Sequence, residues 1–222
     1  MTVVGEAEHK ITALKLQKRN RQKVNVYLDG EYAFSLSRIV AAWLKVGQVL
    51  NDEKISSLQA ENGPELAYQK ALKSISYRPR SEAEIRRNLT THKYPREVID
   101  VAIERLQNNG LVDDTQFAQN WVDNRNEFRP RSKRALEMEL RTHGVNIETI
   151  HQAIDGLDEG ELAYQAGLKQ SKKYSELDWN SFRQKLTGFL ARRGFNYETI
   201  APVIGRIWTE KQSKGQVNVD TQ

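Results

Sequence analysis

Gly144-Val145-Asn146-Ile147-Glu148-Thr149-Ile150 returns 50 residues later as Gly194-Phe195-Asn196-Tyr197-Glu198-Thr199-Ile200, and Tyr77-Arg78-Pro79-Arg80-Ser81 returns after 51 as Phe128-Arg129-Pro130-Arg131-Ser132. Self-similarity at a fixed period outranks local propensity in deciding architecture, because each period is one supersecondary unit that needs its neighbours to bury its apolar face. The anchors keep step throughout: Leu89, Leu140 and Leu190 with Ile99, Ile150 and Ile200, and with Ile103, Ile154 and Ile204. The chain therefore reads as three units of about 50 residues.

Working outward, each unit holds three amphipathic segments. In the first, Tyr68, Ala71, Leu72 and Ile75 fall at i, i+3, i+4 and i+7. Ser81 and Glu84 form a capping box ahead of a helix bearing Ile85 and Leu89. The third helix begins near Pro95 and carries Val98, Ile99, Ala102, Ile103 and Leu106 to a stop at Gly110. In the later units Gly144 and Gly194 end the second helix, and Asn146 and Asn196 cap the third. The third unit departs from the pattern, with about five extra residues around Ser175 to Trp179 and with Pro202 inside the last helix, where it should remove a hydrogen bond and bend it. The expected fold is mainly α, tandem three-helix repeats in an elongated curved array.

The segment before the repeats differs in character. Ile11 to Gln17, Lys23 to Leu28 and Glu31 to Leu36 alternate or nearly so, and Asp29-Gly30 between the last two is a strong hairpin signal. A small three-stranded β-meander is expected, after ten polar, frayed residues. Ser37 should then cap a helix carrying Ile39, Val40, Trp43 and Leu44 to about Gly47, Asn51-Asp52-Glu53 should open a second short helix, and Gly63-Pro64 marks a boundary. The division is 1–63, 64–112, 113–158 and 159–212, with a flexible tail over 213–222.

The 222 residues carry 34 basic and 29 acidic side chains, a net charge of +5, and a mean hydropathy of −0.70. Such a surplus supports assisted phosphate contact rather than a constitutive DNA coat. It is uneven: residues 64–160 hold 15 basic against 16 acidic, and residues 161–222 hold 10 against 6. The absence of cysteine excludes disulfides and thiolate chemistry and suits a reducing compartment. No apolar stretch approaches a membrane span and no secretory leader opens the chain, so a cytoplasmic protein is expected. There is no phosphate loop, dinucleotide fingerprint or nucleophile elbow. His9, His92, His143 and His151 lack metal-ligand spacing, and Asp113-Asp114 reads as a helix cap with Gln116 behind it. No enzyme, metal or cofactor is expected.

Clustered cations are the informative feature. Arg78 and Arg80, then Arg129, Arg131, Lys133 and Arg134, then Lys172 and Lys173 all fall between the first and second helices of their units. Connections at equivalent places in a stack line one edge, and arginine suits bidentate contact with carboxylate or phosphate. The alternative is a set of solvated turns, in which Pro fixes the corner and Ser caps the next helix. Lys18, Arg19, Arg21 and Lys23 make a basic tip between the first two strands, suited to a DNA backbone or simply to solvent. Tyr77 and Phe128 should plug helix corners, and Trp121, Trp179 and Trp208 should belong to the core.

Gly110-Leu111-Val112-Asp113-Asp114-Thr115-Gln116-Phe117-Ala118, Arg125, Leu136 and Leu140-Arg141-Thr142-His143-Gly144-Val145, with Arg80 and Ser81 to Leu89 upstream, resemble the signature of the RecX family. The resemblance covers Glu65 to Ile204, and the hairpin is similar to an extension of longer members. Many members have glycine near Ser132, where this chain has Arg129-Pro130-Arg131-Ser132, so contacts at that corner are expected to differ. The resemblance implies three tandem three-helix units lodged in the groove of the RecA recombinase filament on single-stranded DNA. It further implies that they lower its ATP hydrolysis, strand exchange and co-protease activity. The chain is expected to be a monomer and to touch single-stranded DNA directly or through the filament. Two rivals stand beside it: an autonomous nucleic-acid-binding helical module, and a passive helical scaffold for some other acidic protein.

Overall fold

The computed structural model describes residues 8–217, with side chains to 213. Its first compact unit runs to Val112 and its second starts at Asp113.

The first unit opens with strands β1 (Glu8–Leu16), β2 (Lys23–Leu28) and β3 (Glu31–Ser37) and closes its sheet with a short β4 (Val49–Asn51). All neighbours are antiparallel, in the order β3-β2-β1-β4. The expected hairpin forms: Asp29 and Gly30 both take positive φ, 51° and 96°, as a type I′ turn demands. Period-2 alternation buries Val24, Val26 and Leu28 on one face with Ile11 and Leu36. Residues 8–10, expected to fray, pair with β4 instead, because Glu8, His9 and Lys10 lie opposite Asn51, Leu50 and Val49.

After β3 the chain makes only a single 3₁₀ turn, Val40–Trp43, where a helix was expected. Leu44 is already extended, and the chain is drawn back to the sheet by Gly47 N–H donating to the Ile11 carbonyl at 2.7 Å. Trp43 is thus left 86% exposed. Asn51 caps α1 (Asp52–Ile75), accepting from Lys54 N–H. This helix of 24 residues passes through Gly63 and Pro64, where the sequence suggested a break. An interior proline costs roughly 3 kcal/mol. That cost is offset at both ends, since Leu58 is buried under the sheet while Ala67, Tyr68 and Ala71 are buried in the first repeat.

The first repeat is completed by α2 (Glu82–Thr91) and α3 (Arg96–Asn108). The second unit holds α4 (Asp114–Phe128), α5 (Lys133–His143) and α6 (Ile147–Ile154), then α7 (Glu159–Ser171), α8 (Trp179–Arg192) and α9 (Tyr197–Val217). Each repeat has its own core, centred on Leu89, Leu140 and Leu190, all fully buried. Ser81 and Glu84 make the reciprocal capping box, and Ser132, Asn146 and Asn196 cap as expected. Asp113 caps α4, but the Gln116 amide turns to Asn120 rather than back to the cap.

The extra residues of the third repeat have a definite location. Measured back from the glycine that ends each helix, the Asp178 cap of α8 lies four positions earlier than the Ser132 cap of α5, so α8 gains one turn at its start. Pro202 sits inside α9, which continues to Val217. Of the tail expected over 213–222, residues to Val217 are therefore helical, and 218–222 lie outside the described residues, as do 1–7 at the other end.

The turn from second to third helix is the same in all three repeats. The carbonyls of Leu89, Leu140 and Leu190 accept the N–H of Tyr94, Val145 and Phe195 at 3.3, 3.2 and 3.3 Å. The residue before each donor is left-handed: Lys93, Gly144 and Gly194, at φ 62°, 83° and 94°. This is the Schellman closure, usually served by glycine. A left-handed φ costs an L-residue roughly 1–2 kcal/mol. Lys93→Gly should accordingly stabilise the chain by about 0.5–1 kcal/mol, after the larger unfolded-state entropy of glycine is deducted. Denaturant midpoints at constant slope would measure it, and an unchanged or lower midpoint would contradict the strain at Lys93. Leu140→Ala should cost about 2–5 kcal/mol, since the cavity opens in a closed core. A melting temperature unchanged within error would show that Leu140 is no anchor.

Candidate functional site

The two clearest basic corners share arginine-proline-arginine-serine and differ just after it, where Glu82, Ala83 and Glu84 are replaced by Lys133, Arg134 and Ala135. In the first repeat Arg78 makes a fork to Glu84, Nη2 to Oε1 at 2.6 Å and Nη1 to Oε2 at 3.0 Å, while Arg80 lies 3.8 Å from the same carboxylate. Glu84 is also the reciprocal member of the capping box, accepting from Ser81 N–H. Arg78 is thereby a structural partner of the cap rather than a free edge charge. In the second repeat the position equivalent to Glu84 is Ala135. Arg129, the counterpart of Arg78, is exposed with no ion pair among the described residues, and so is Arg134.

The rest of the second corner is partly engaged. Arg131 pairs with Glu139 at 3.0 Å, and Glu139 also accepts from Arg125 and from the Trp121 indole N–H, both at 2.7 Å. Lys133 Nζ donates to the Asp155 carbonyl at 2.8 Å. Lys172 and Lys173 are exposed and unpaired among the described residues. One turn before them, Lys169 Nζ donates to the Glu127 carbonyl at 2.8 Å, which brings the ends of α4 and α7 together.

Arg193, which the sequence reading passed over, completes this corner. Its Nη1 donates to the Pro130 carbonyl at 2.9 Å, its own carbonyl accepts from Ser132 N–H at 3.2 Å, and its guanidinium lies over the Phe189 ring at 4.6 Å. Burial, and then the nearby charges of Arg131 and Arg129, push its pKa below the ordinary arginine value. Three guanidiniums thus crowd one corner, where an arriving anion relieves repulsion instead of merely displacing water. The adjoining Gly194 permits the approach, since a Cβ there would lie 2.5 Å from Ser132 Oγ. Arg193 occupies the repeat position of His92 and His143, and that histidine-to-arginine change was the available signal.

At the sheet, Lys18, Arg19 and Arg21 are exposed at the β1–β2 turn, with Lys23 half-buried at the start of β2. Arg38 joins them, its backbone N–H donating to the Gln22 carbonyl at 2.8 Å. None of the side chains of Lys18, Arg19, Arg21 and Arg38 has a carboxylate partner among the described residues.

Three aromatic expectations are corrected. Tyr77 and Phe128 do not plug their corners but stand 75% and 62% exposed, Tyr77 just beyond the end of α1 and Phe128 on the last residue of α4. Trp179 lies on the added turn of α8 and is 37% exposed, resting against Trp208 with ring centroids 5.3 Å apart. Trp121 and Trp208 do pack on their cores. His143 packs between Phe117 and Trp121, with centroids at 5.5 and 4.3 Å. Among the described residues no group of three or more His, Asp or Glu is placed to hold a metal ion, and no helix is long and apolar enough to cross a membrane.

Four family models match in sequence order: the regulatory protein RecX N-terminal domain over 9–51, and the first, second and third RecX three-helix domains over 67–106, 113–154 and 158–204. Regulatory protein RecX of Clostridium botulinum (strain Alaska E43) is 31% identical over 88% of this chain and 94% of its own length. That of Bacillus pumilus is 30% identical over 86% and 74%. A crystal structure of regulatory protein RecX superposes with a TM-score of 0.65 at 25% identity, covering 88% of this chain and 98% of that one. RecX from Lactobacillus salivarius shares the fold over 66% of this chain, with a TM-score of 0.58 at 19% identity. With its sheet and all three helical repeats matched in order, this chain belongs to the RecX family of regulatory proteins.

Proposed function

We propose that this chain binds the RecA filament on single-stranded DNA and lowers its ATPase, strand-exchange and co-protease activities, acting as a cytoplasmic monomer and catalysing nothing itself. Membership of a family of regulatory proteins supports a regulatory role. The observation that carries the contact is the corner of Arg129, Arg131 and Arg193, with Arg134 beside it. It pairs a crowded, partly desolvated positive charge with guanidiniums free to make bidentate contacts. Lys172 and Lys173 extend the same surface, since the ends of α4 and α7 meet. Arg78 and Arg80 take a lesser part, being turned toward Glu84.

A second reading, an autonomous nucleic-acid-binding module, draws on the hairpin tip, where Lys18, Arg19, Arg21 and Arg38 are exposed together. The two separate by salt, because neutralising phosphates directly makes affinity fall steeply with ionic strength.

Co-sedimentation with RecA on single-stranded DNA, beside naked DNA and RecA alone, tests the main reading. Arg129→Ala with Arg134→Ala should leave stability within about 0.5 kcal/mol, as surface changes do. It should weaken inhibition of the DNA-dependent ATPase at least about tenfold, equivalent to about 1.4 kcal/mol. Lys18→Ala with Arg21→Ala is the control. If the tip variant loses both naked-DNA binding and inhibition while the corner variant keeps both, the second reading replaces the first. Arg78→Ala should behave differently again, lowering stability by about 1 kcal/mol because Glu84 loses its fork and the pair is partly screened by solvent. A melting curve identical to the parent would show that Arg78 is not part of the cap.

A further inference from the structure

The third repeat carries a concave groove of about 550 Å³ between α8 and α9. Its apolar floor includes Ile204, Trp179 and Tyr197 line it, and Asn180, Arg183 and Gln184 supply polar groups from α8. Trp179 and Asn180 belong to the turn by which α8 exceeds α5. Tyr197 replaces Ile147, and Gln184 replaces Arg134. Three separate departures from the repeat thus converge on one hollow.

We propose that this groove docks an unpaired nucleobase of a single-stranded polynucleotide. Tyr197 is 69% exposed, and Trp179 keeps over a third of its surface in solvent although Trp208 backs it. Flat aromatic surfaces held open in this way suit base stacking, which tolerates any base because every base has a π-face. The side chains of Asn180, Arg183 and Gln184 have no hydrogen bond or ion pair among the described residues. Two free amides can donate to and accept from a base edge, and Arg183 supplies a cation for the adjoining phosphate. An apolar peptide segment would instead leave those groups desolvated and unpaired. The surplus of 10 basic over 6 acidic residues in 161–222 favours a polyanion at this end of the chain. The groove shares no residue with the corner on which the filament reading rests, and the inference goes beyond that reading.

The test uses the full chain without recombinase, so its outcome is independent of the filament experiment. Fluorescein-labelled 15-mers of thymidine DNA and uridine RNA are titrated by anisotropy, each beside an abasic oligomer of the same length and sugar. The parent chain should bind a base-bearing strand at least about tenfold more tightly than its abasic partner, the effect expected of one stacked base. Trp179→Ala with Tyr197→Ala should bind the two alike. Because Trp179 rests on Trp208, Tyr197→Ala alone serves as the variant whose exposed site leaves the core intact, and it should lose at least about threefold of the preference. Base dependence in either sugar series meets the expectation. Equal binding of abasic and base-bearing strands by the parent, or a preference unchanged in Tyr197→Ala, would overturn the proposal.

Discussion

The carbonyls of Leu89, Leu140 and Leu190 each close a helix by accepting the N–H of the residue five positions on, and the side chains of the same leucines lie at the centres of the three cores. Backbone closure and burial therefore fall on one residue per repeat. The helices that depend on it are short: α2, α5 and α6 have 10, 11 and 8 residues, lengths at which an isolated helix is marginal in water. The closing turn sets the direction of the third helix, which then covers the leucine with the isoleucines at 99 and 103, 150 and 154, or 200 and 204. A left-handed residue is required at the turn, which explains glycine at two of the three positions and the tolerated strain at Lys93.

With core and closure fixed by so few positions, the corners between first and second helices are free to change their charge. The pairs Arg78/Glu84 and Arg129/Ala135 illustrate this. Both corners carry arginine-proline-arginine-serine, both serines cap, yet only the first arginine is neutralised. Removing one carboxylate converts a capping accessory into a free cation and leaves the serine half of the cap in place, since Ser132 still accepts from Ala135 N–H while its own N–H donates to the Arg193 carbonyl. Arg193 adds a third guanidinium to the same corner from the next repeat, held by the Pro130 carbonyl and the Phe189 ring rather than by an opposite charge. The repulsion is sustained by those neutral contacts.

The repeats, the caps and the Asp29-Gly30 turn were legible because each rests on local chemistry at fixed spacing. What was not legible depended on contacts distant in sequence. Gly63-Pro64 reads as punctuation, yet α1 is anchored by two cores, one on either side, and local breakers yield to that. The three residues of β4 are too few to show alternation and exist only because Glu8 to Lys10 offer a partner. Ile39, Val40, Trp43 and Leu44 have helical spacing, but the pull of β4 to the sheet ends the helix after one turn. At the site, the list of cations could be read directly, whereas their state could not. Whether an arginine is free depends on a carboxylate six or eight residues away, as at Glu84 and Glu139, and Arg193 is 62 residues from Arg131 in the chain.

A repeat protein that recognises a partner with part of its length needs its units to differ somewhere, since identical units would present identical surfaces. The cores exchange one apolar side chain for another, as Val145 for Phe195, while the differences in charge and exposed aromatic surface fall outside them. Leu140 and Leu190 are equally buried, and Gly144 and Gly194 turn alike. Ala135 stands for Glu84, Arg193 for a histidine, and an added helical turn brings Trp179 to the surface. Core positions resist such change because a buried side chain altered by a methylene or two is felt throughout its packing. Surface positions near caps do not, provided the capping oxygen stays. The same physics that makes the three repeats recognisable as copies therefore directs their divergence to the helix corners and to the α8–α9 groove, which is where charge and exposed aromatic surface accumulate.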